Sequence, residues 1–373
     1  MKRWPTKPLG ELVSLEYGKA LKAEERSSNG RFPVFGSNGI VGAFNRALVS
    51  EPTIVVGRKG AIGEVHLTEN GCWPIDTAFY TVLRERNTVS LRFLLLWFRS
   101  VDLKSLAITS TIPGLNRNTL YPQPVPVPPL TEQERIVKLL DEADELRKQR
   151  TQANRRTATL IPSLFYEMLA ETEERNCPWP KTTIAGLCSR VVDCPHATPT
   201  YATSETLYAC VRSSDIQEGK LDWSSTKYVD ESEYAKRVKV LIPRPGDVVF
   251  CREGARLGNA ALVTNEKEVC LGQRMMLFRV EPKVATPEFL CALLLSPAIQ
   301  KVIWSLVGGS ASPHLNVGDV KEFVTALFPL PLQKEFAARV SEIRAVQAEQ
   351  SASHRRLDEL FQSMLHRAFQ GEL

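Results

Sequence analysis

The sequence contains no apolar run long enough to cross a membrane. Its longest uninterrupted apolar stretches, such as FLLLWF at residues 93–98 and FLCALLL at residues 289–295, are far shorter than the roughly 20 residues that a spanning helix needs. The basic start MKRWPTK is not followed by an apolar segment of signal-peptide length. We therefore expect a cytoplasmic protein without a membrane partner.

The cysteines lack the regular spacing of a disulfide framework or a metal site. The 8 cysteines include no Cys-x-x-Cys pair, and a chain of 373 residues can bury a core without disulfide bonds. We expect reduced thiols, most of them in the core. Cys188, Cys194 and His196 lie close together, but a fourth ligand at a suitable interval is missing, so we expect no metal site.

Motifs for chemistry on nucleotides are also missing. An ATP-driven motor needs a Walker loop, and the chain has no Gly-Lys-Ser/Thr ending of that kind. An adenine methyltransferase needs an (Asn/Asp)-Pro-Pro-aromatic loop to hold the flipped base, whereas the Pro-Pro pair here, Pro128-Pro129, enters a helix. We therefore expect no catalytic residues and no cofactor in this chain.

One stretch does resemble a phosphate-binding loop: VVGRKGAIGEV, at residues 55–65. Such loops work because a helix follows the glycines and directs its backbone N–H groups at the anion. Here the glycines are followed by the alternating, β-branched EVHLT, which predicts a strand. A glycine-rich turn between two strands is the favoured interpretation.

Charge and length leave room for a nucleic-acid partner and for more than one domain. The formal net charge of +5 and the isoelectric point of about 8.7 permit a polyanionic partner without requiring one. A hydrophobic share of 43% and a charged share of 24% are typical of globular proteins. The length indicates two or three domains.

The chain is an internal repeat of one unit. The glycine stretch has a partner in VVFCREGARLGNA, residues 248–260, and other matches follow in the same order. They are RWPTKPLGEL with PWPKTTIAGL, PGLN at 113–116 with PHLN at 313–316, and SLFYEML at 163–169 with ELFQSML at 359–365. The offset grows from about 175 to about 200 residues, so the second copy carries insertions in its first half. A glycine turn kept in both copies indicates scaffold geometry with positive φ, from which Arg58 and Arg252 project.

Each copy consists of a compact α/β domain and a long helix. Short β-branched strands, glycine and asparagine turns and one apolar helix fill the domain, and a proline-rich linker such as YPQPVPVPPL leads into the helix. Thr131 and Glu134 predict a capping box at the start of the first long helix. We predict the α/β domains at 1–128 and 177–328 and the helices at 129–176 and 329–373.

The helices carry apolar residues at a 3-4 spacing, which predicts an antiparallel coiled coil that acts as a spacer. In the first helix these are Ile136, Leu139, Ala143, Leu146, Ala153, Leu160 and Leu164, and in the second they are Phe336, Val340, Ile343, Leu357, Phe361 and Met364. An amphipathic helix packed on a globular core is the alternative for either one.

The order of motifs along the whole chain resembles the specificity subunit of type I restriction-modification enzymes. The first copy contributes PVFGSNGIVG, GRKGAIG, WPIDTAFY, PGLNRN and PVPPLTEQERIV, and the second contributes DCPHATPTY, LGQRMML, PHLNV and the ending RAFQGEL. The resemblance implies an α/β (α+β) fold with two target recognition domains, which read the halves of a bipartite target in double-stranded DNA. It also implies a helix pair that sets the gap and docks methyltransferase subunits, two in number, alongside restriction and translocase subunits. S-adenosylmethionine, ATP and magnesium would then belong to those partner subunits.

Candidate DNA contacts are polar residues on turns, above all where the two copies differ, because different half-sites need different side chains on one frame. For the first domain they are Ser37, Asn38, Arg58, Lys59, Thr77, Asn116 and Arg117. For the second they are His196, Thr198, Arg212, Ser213, Arg252, Arg256, Gln273, Arg274 and His314. Asn116 has an alternative role, which is to cap or brace a turn.

A single-chain methyltransferase or endonuclease with an unrecognised catalytic site is the alternative function. Asp247 and Glu253 flank VVFCR as carboxylates flank a nuclease strand. The matching positions of the first copy are Thr53 and Lys59, which disfavours this interpretation.

Overall fold

A computed structural model of the chain describes residues 4–85, 87–107, 114–174, 179–217, 219–264, 267–307 and 313–373. These residues form two compact units. Unit 1 comprises Met1–Gln152 and Ser351–Leu373, and unit 2 comprises Ala153–Gln350. The α/β class predicted from the sequence is confirmed. The division of the chain at residues 128, 176 and 328 stays a prediction.

Unit 1 contains nine strands and the first four helices among its described residues. The strands are β1 (Thr6–Pro8), β2 (Val13–Tyr17), β3 (Phe32–Gly36), β4 (Gly39–Phe44), β5 (Thr53–Gly57), β6 (Val65–Thr68), β7 (Trp73–Pro74), β8 (Ala78–Leu83) and β9 (Pro124–Pro126). The helices are α1 (Leu9–Leu12), α2 (Leu91–Ser100), α3 (Arg117–Leu120) and α4 (Leu130–Ala158), the last of which continues into unit 2.

The strands of unit 1 form a four-stranded sheet in the order β2-β8-β5-β6 and a three-stranded sheet in the order β4-β3-β7. Every residue of β5 is buried, because α2 covers one face of its sheet and the second sheet covers the other. Six consecutive residues of α2, 93–98, are buried as well. This packing fixes the loops at the end of β5, where the glycine stretch begins.

Unit 2 contains the remaining elements. The helices are α5 (Leu160–Glu174), α6 (Glu231–Arg237), α7 (Pro287–Leu295), α8 (Pro297–Val307), α9 (Val317–Lys321) and α10 (Leu330–Gln370), the last of which continues into unit 1. The strands are β10 (Lys181–Thr183), β11 (Cys188–Asp193), β12 (Tyr208–Val211), β13 (Ile216–Gln217), β14 (Lys220–Leu221), β15 (Lys227–Val229), β16 (Val248–Cys251), β17 (Ala260–Leu262), β18 (Glu268–Leu271), β19 (Met275–Val280) and β20 (Val324–Ala326).

The sheets of unit 2 repeat those of unit 1, which confirms the internal repeat. The four-stranded sheet has the order β11-β19-β16-β17, and the three-stranded sheet has the order β15-β12-β18 with the same parallel pair inside it. Where unit 1 joins β3 to β4 by Ser37 and Asn38, unit 2 inserts residues 212–226 between β12 and β15. This segment is one of the insertions expected in the first half of the second copy.

A buried glutamine lies in the first turn of each long helix. The Gln133 side chain accepts a hydrogen bond from Ser90 N at 2.9 Å and donates to the carbonyls of Thr88 and Pro128, both at 2.9 Å. Gln333 makes the equivalent three bonds in unit 2. The predicted capping box at Thr131 is wrong, because α4 begins at Leu130 and places Thr131 inside the first turn.

The central helix is not continuous. It is divided at Thr159 into α4 and α5, and Pro162, which lacks an N–H to donate to the preceding turn, lies just beyond the break. The predicted apolar seam is also incomplete, since Leu146 and Leu160 are 53% and 43% exposed.

Antiparallel helix pairs are nevertheless present inside each unit. In unit 1, Arg135 donates to the carbonyl of the C-terminal Leu373 at 2.7 Å, and Arg147 pairs with Asp358 at 2.7 Å. In unit 2, Phe165 of α5 packs on Phe336 of α10 with 5.5 Å between ring centroids, and Thr157 at the end of α4 donates to Gln350 of α10 at 2.7 Å. The motifs SLFYEML and ELFQSML thus place Phe165 and Phe361 in the cores of units 2 and 1 respectively.

The cysteines within the described ranges behave as predicted: seven are free thiols, and six of these are buried. No single described helix is long and apolar enough to cross a membrane. Helices α7 and α8 together have the length and apolar composition of a spanning segment, with a bend of 53° between them.

Candidate nucleic-acid interface

The first glycine turn, residues 57–63, brings together most of the predicted residues of unit 1. Arg58 N donates to the carbonyl of Thr77 at 2.9 Å, and Leu115 N donates to the carbonyl of Arg58 at 2.9 Å. These bonds place Thr77 and the segment before α3 against the turn.

The β3–β4 turn lies against the same place. Gly57 and Gly60 approach it so closely that a Cβ on them would lie 2.5 Å from the Ser37 carbonyl oxygen and 3.5 Å from Ser37 Oγ. Ser37, Arg58, Lys59, Thr77, Asn116 and Arg117 therefore form one cluster, with the exposed Asn38 beside Ser37.

The two arginines of this cluster face one aromatic ring. The guanidinium carbon of Arg58 lies 4.8 Å from the ring centroid of Tyr17 and 5.5 Å from that of Phe79, and that of Arg117 lies 5.1 Å from Tyr17. Arg58 Nη1 also donates to the Asp76 carbonyl at 2.9 Å. Among the described residues, no carboxylate pairs with Arg58, Lys59 or Arg117, so the cluster keeps its positive charge.

Asn116 has the local role raised as its alternative. Its Oδ1 accepts a hydrogen bond from Asn118 N at 2.9 Å and caps α3. Its match in the second copy, Asn316, donates from Nδ2 to the carboxylate of Asp319 at 3.1 Å. In both units the asparagine shapes the segment that follows the Pro-x-Leu-Asn motif.

The second glycine turn, residues 251–258, is built by the same backbone bonds. Arg252 N donates to the Arg274 carbonyl and Leu315 N to the Arg252 carbonyl, each at 2.9 Å. Gly60 and Gly63 have φ of 79° and 82°, and their matches Gly254 and Gly258 have 81° and 87°. The interpretation of the glycine stretch as a conserved turn geometry is confirmed, because side chains other than glycine rarely adopt these values.

Arg252 does not project from its turn as expected. Its side chain is only 7% exposed and pairs with Asp193 at 2.9 Å and Glu253 at 2.8 Å. Its Nη1 also donates to the Leu315 carbonyl at 3.3 Å. The expectation fails because carboxylates from β11 and from the turn itself surround the guanidinium, which gives Arg252 the geometry of a brace.

Arg212 is similarly engaged. It pairs with the fully buried Asp215 at 2.7 Å and donates to the Ser225 carbonyl at 2.6 Å, which closes the inserted segment. The hydrogen bond to Asp215 raises the pKa of Arg212 further, so the guanidinium stays charged. Ser213, next in sequence, opens the short 3-10 turn Ser213–Asp215.

The remaining predicted residues of unit 2 lie around the second glycine turn. His196 Nε2 lies 3.1 Å from the Asp193 carboxylate, and Gln273 donates to the His196 carbonyl. Arg274 is exposed and has φ of 68°, a left-handed conformation that is uncommon for a residue other than glycine. The other exposed side chains are Thr198, Arg256 and His314, of which His314 is bridged to Glu253 through the backbone.

The carboxylates that could imitate a nuclease are paired with arginines. Asp247 accepts from Arg279 at 2.7 Å, and Glu253 pairs with Arg252. Burial raises the pKa of Cys188 to about 12, which favours the thiol over a metal-binding thiolate. Within the described ranges, no three His, Cys, Asp or Glu side chains are grouped to hold a metal ion.

Tyr17, which ends β2, belongs to the first cluster but is not marked by any motif of the sequence. It is 44% exposed and pairs with Phe79 across the sheet. In unit 2 the same sheet position belongs to Asp193, which pairs with Met276. The repeat offset near the tryptophans would have aligned Tyr17 to within one residue of Asp193, and the register shift between Cys188 and Arg190 accounts for the difference.

The first part of the chain matches a known family of domains. Residues 1–154 match the family model for the type I restriction modification DNA specificity domain.

The chain as a whole is similar to specificity subunits of type I restriction enzymes. It is 22% identical to the MjaVIII specificity subunit of Methanocaldococcus jannaschii, over 91% of this chain and 86% of that protein. It is 24% identical to the EcoKI specificity subunit of Escherichia coli K12, over 79% and 68%. The resemblance stated from the motifs is therefore confirmed.

Solved structures share the fold. The S subunit of a type I restriction-modification system from M. genitalium matches with a TM-score of 0.58 and 15% identity, over 98% of this chain and 96% of that one. A chain from a structural study of complex assembly and conformational transition in the type I R-M system matches with a TM-score of 0.60 and 16% identity, over 100% and 99%.

Proposed function

We propose that this chain is the sequence-specific DNA-binding specificity subunit of a type I restriction-modification complex. It would read a bipartite target and direct adenine methylation or cleavage by partner subunits. One observation carries the proposal: the same backbone-bonded turn is built twice, and each copy presents a different set of polar side chains. Two different half-sites require that arrangement.

The contacts are proposed for the exposed and half-buried members of the two clusters that do not serve as a cap or a brace. In unit 1 these are Ser37, Asn38, Arg58, Lys59, Thr77 and Arg117, with Asn116 as the cap that orients Arg117. In unit 2 they are His196, Thr198, Arg256, Gln273, Arg274 and His314, with Ser213 at the edge of the inserted segment. Arg212 and Arg252 would act as braces that hold this surface in shape.

The chemistry is assigned to partners. Methyltransferase subunits, two per complex, would supply S-adenosylmethionine-dependent methylation, and restriction subunits would supply ATP- and magnesium-dependent translocation and cleavage. The chain itself would be non-catalytic and would act in the cytoplasm, where those partners and the DNA meet. The pairing of Asp247 and Glu253 with arginines supports this assignment over a single-chain nuclease.

Selection of bound fragments from random duplex DNA tests the proposal, with the chain used in complex with its methyltransferase partner. We expect two short constant sequences separated by a gap of fixed length. Replacement of residues 179–327 by the matching domain of a relative should then change one constant sequence and leave the other intact. A contiguous selected sequence, a change in both halves, or no enrichment over the random pool would contradict the proposal.

Catalytic silence is tested on the highly purified chain alone. Methyl transfer or cleavage that survives removal of contaminating subunits would favour a single-chain enzyme instead.

A further inference from the structure

The aromatic ring of Tyr17 occupies the position at which unit 2 has a carboxylate. Tyr17 lies opposite Phe79 on β8, and β5 reaches Phe79 through Val56, two residues before Arg58. Asp193 lies opposite Met276 on β19, and β16 reaches Met276 through Phe250, two residues before Arg252. Tyr17 and Asp193 are thus equivalent neighbours of equivalent arginines.

This exchange changes the charge available at the turn. Asp193 and Glu253 pair with Arg252, whereas Arg58 lies against two adjacent rings that attract a cation without compensating its charge. Lys59 takes the place of Glu253, as the matched backbone bridges to Gly114 and His314 show. The ring therefore keeps two guanidinium groups together at a site where the charge is not compensated by a described carboxylate.

We propose that Tyr17 is a positioning residue that holds Arg58 and Arg117 as a paired cation site for the DNA backbone of the first half-site. Two adjacent arginines would repel each other and sample many rotamers in solvent, and stacking on one ring restricts both. Arg58 is fixed further by its bond to the Asp76 carbonyl. Consecutive phosphates are the ligand that best suits two fixed cations, because a DNA strand carries closely spaced negative charges.

This inference rests on the proposed function, because it assumes that the chain binds DNA. The probe is a pool of duplex DNA of random sequence, and the full-length chain in complex with its methyltransferase partner is titrated at several salt concentrations. We expect Tyr17→Leu to weaken binding by roughly tenfold, since both cations lose the ring that orders them. The slope of log K against log salt should become shallower by about 1 to 2, since each phosphate contact contributes about 0.9.

Two further variants separate positioning from a structural role. Tyr17→Phe keeps the ring and should bind like the parent chain. In a background that carries Arg58→Ala and Arg117→Ala, Tyr17→Leu should have no further effect on affinity or on the salt slope. The melting temperature of each variant is recorded, so that a loss of binding from unfolding is recognised.

The outcomes are distinct. A parent chain that does not bind DNA would remove the proposed function itself. A parent chain that binds, with Tyr17→Leu indistinguishable from it, would overturn only the role of Tyr17. Additive loss in the arginine-free background would show that Tyr17 acts through the fold. Sequencing of the bound DNA gives the base preference, and an altered preference at particular base pairs with an unchanged salt slope would show that the arginines read bases.

Discussion

The two matched arginines should respond differently to the same truncation. Arg252→Ala removes a guanidinium that pairs with two carboxylates and a carbonyl, whereas Arg58→Ala removes one that stacks on rings and donates one bond to a carbonyl. We therefore expect Arg252→Ala to destabilise unit 2 and Arg58→Ala to leave unit 1 nearly as stable as before.

The magnitude follows from burial. Removing one partner of a fully buried ion pair costs about 3–5 kcal/mol, because the other partner is left charged and unpaired. Asp193 and Glu253 retain 26% and 29% exposure, so water screens them in part. We expect a loss of about 2 kcal/mol for Arg252→Ala, or about 4–8 °C in melting temperature for a domain of this size. For Arg58→Ala we expect less than about 1 kcal/mol.

Calorimetric melting is the stability assay, and DNA binding well below both transitions is the functional one. Arg58→Ala should weaken binding and flatten its salt dependence, while Arg252→Ala should bind nearly normally once folded. The matched control is Lys59→Ala, which removes an exposed cation of the same turn without removing an ion pair. An unchanged melting temperature for Arg252→Ala, together with lost discrimination at particular base pairs, would refute the assignment of Arg252 as a brace.

Three further predictions address the frame, its protonation and the spacer. Gln133→Leu and Gln333→Leu should each cost about 2–4 kcal/mol in chemical denaturation, because each leaves three backbone groups without a partner, one of them buried and two half-buried. A large cost at one site and none at the other would contradict their equivalence. Burial lowers the pKa of His66 below 6.5, so the unfolded chain takes up the proton first and stability should fall as the pH drops below 6.5. His66→Gln should reduce that dependence, and an identical pH profile for both chains would exclude His66 as its source. Four residues added to both helices, near Arg150 and near Gln350, should lengthen the gap between half-sites by about one or two base pairs, since they add about 6 Å of helix; mapping of methylated sites on the extended complex checks this, and an active complex with an unaltered gap would contradict it.

The repeated scaffold was predictable because its signals are local. Glycines that require positive φ, the Pro-x-Leu-Asn motif and the prolines before each long helix act within a few residues of themselves. A sequence alignment of the two copies therefore located both glycine turns, and the backbone bonds from Leu115 and Leu315 to the two arginines confirm that alignment.

The partner of each arginine was not predictable in the same way. Tyr17 and Asp193 reach Arg58 and Arg252 across a sheet, from strands roughly 40 and 60 residues away in sequence, and sheet register is not visible in a single sequence. The sequence therefore predicts that both arginines project from their turns, although Arg58 is stacked on a ring and Arg252 is ion-paired.

Long-range packing also explains the errors in the helices. The heptad pattern assigns a seam by spacing alone, but α4 and α10 also pack on the α/β domain of unit 1, where Leu140 joins a core with residues of α2 and α10. The inserted segment also contacts α10, because Lys220 of β14 donates to Gln347. No sequence motif predicts this contact. A helix with several neighbours has no single apolar seam, so its buried positions depart from a two-helix pattern.

The backbone frame explains how one scaffold can serve two different contacts. The bonds that build each glycine turn run between main-chain atoms, so they hold for any side chain at positions 58 and 252 or at 59 and 253. The residue at the end of the outer strand of the sheet, Tyr17 on β2 or Asp193 on β11, then decides whether the charge of the turn arginine stays uncompensated or is paired with a carboxylate. The position of Lys59 in the first turn is occupied by Glu253 in the second. The first turn is therefore strongly cationic, whereas the positive and negative charges of the second turn nearly balance. Under the proposed function, the contact made by unit 1 must therefore depend on salt more steeply than the contact made by unit 2, because counterion release follows the number of uncompensated cations.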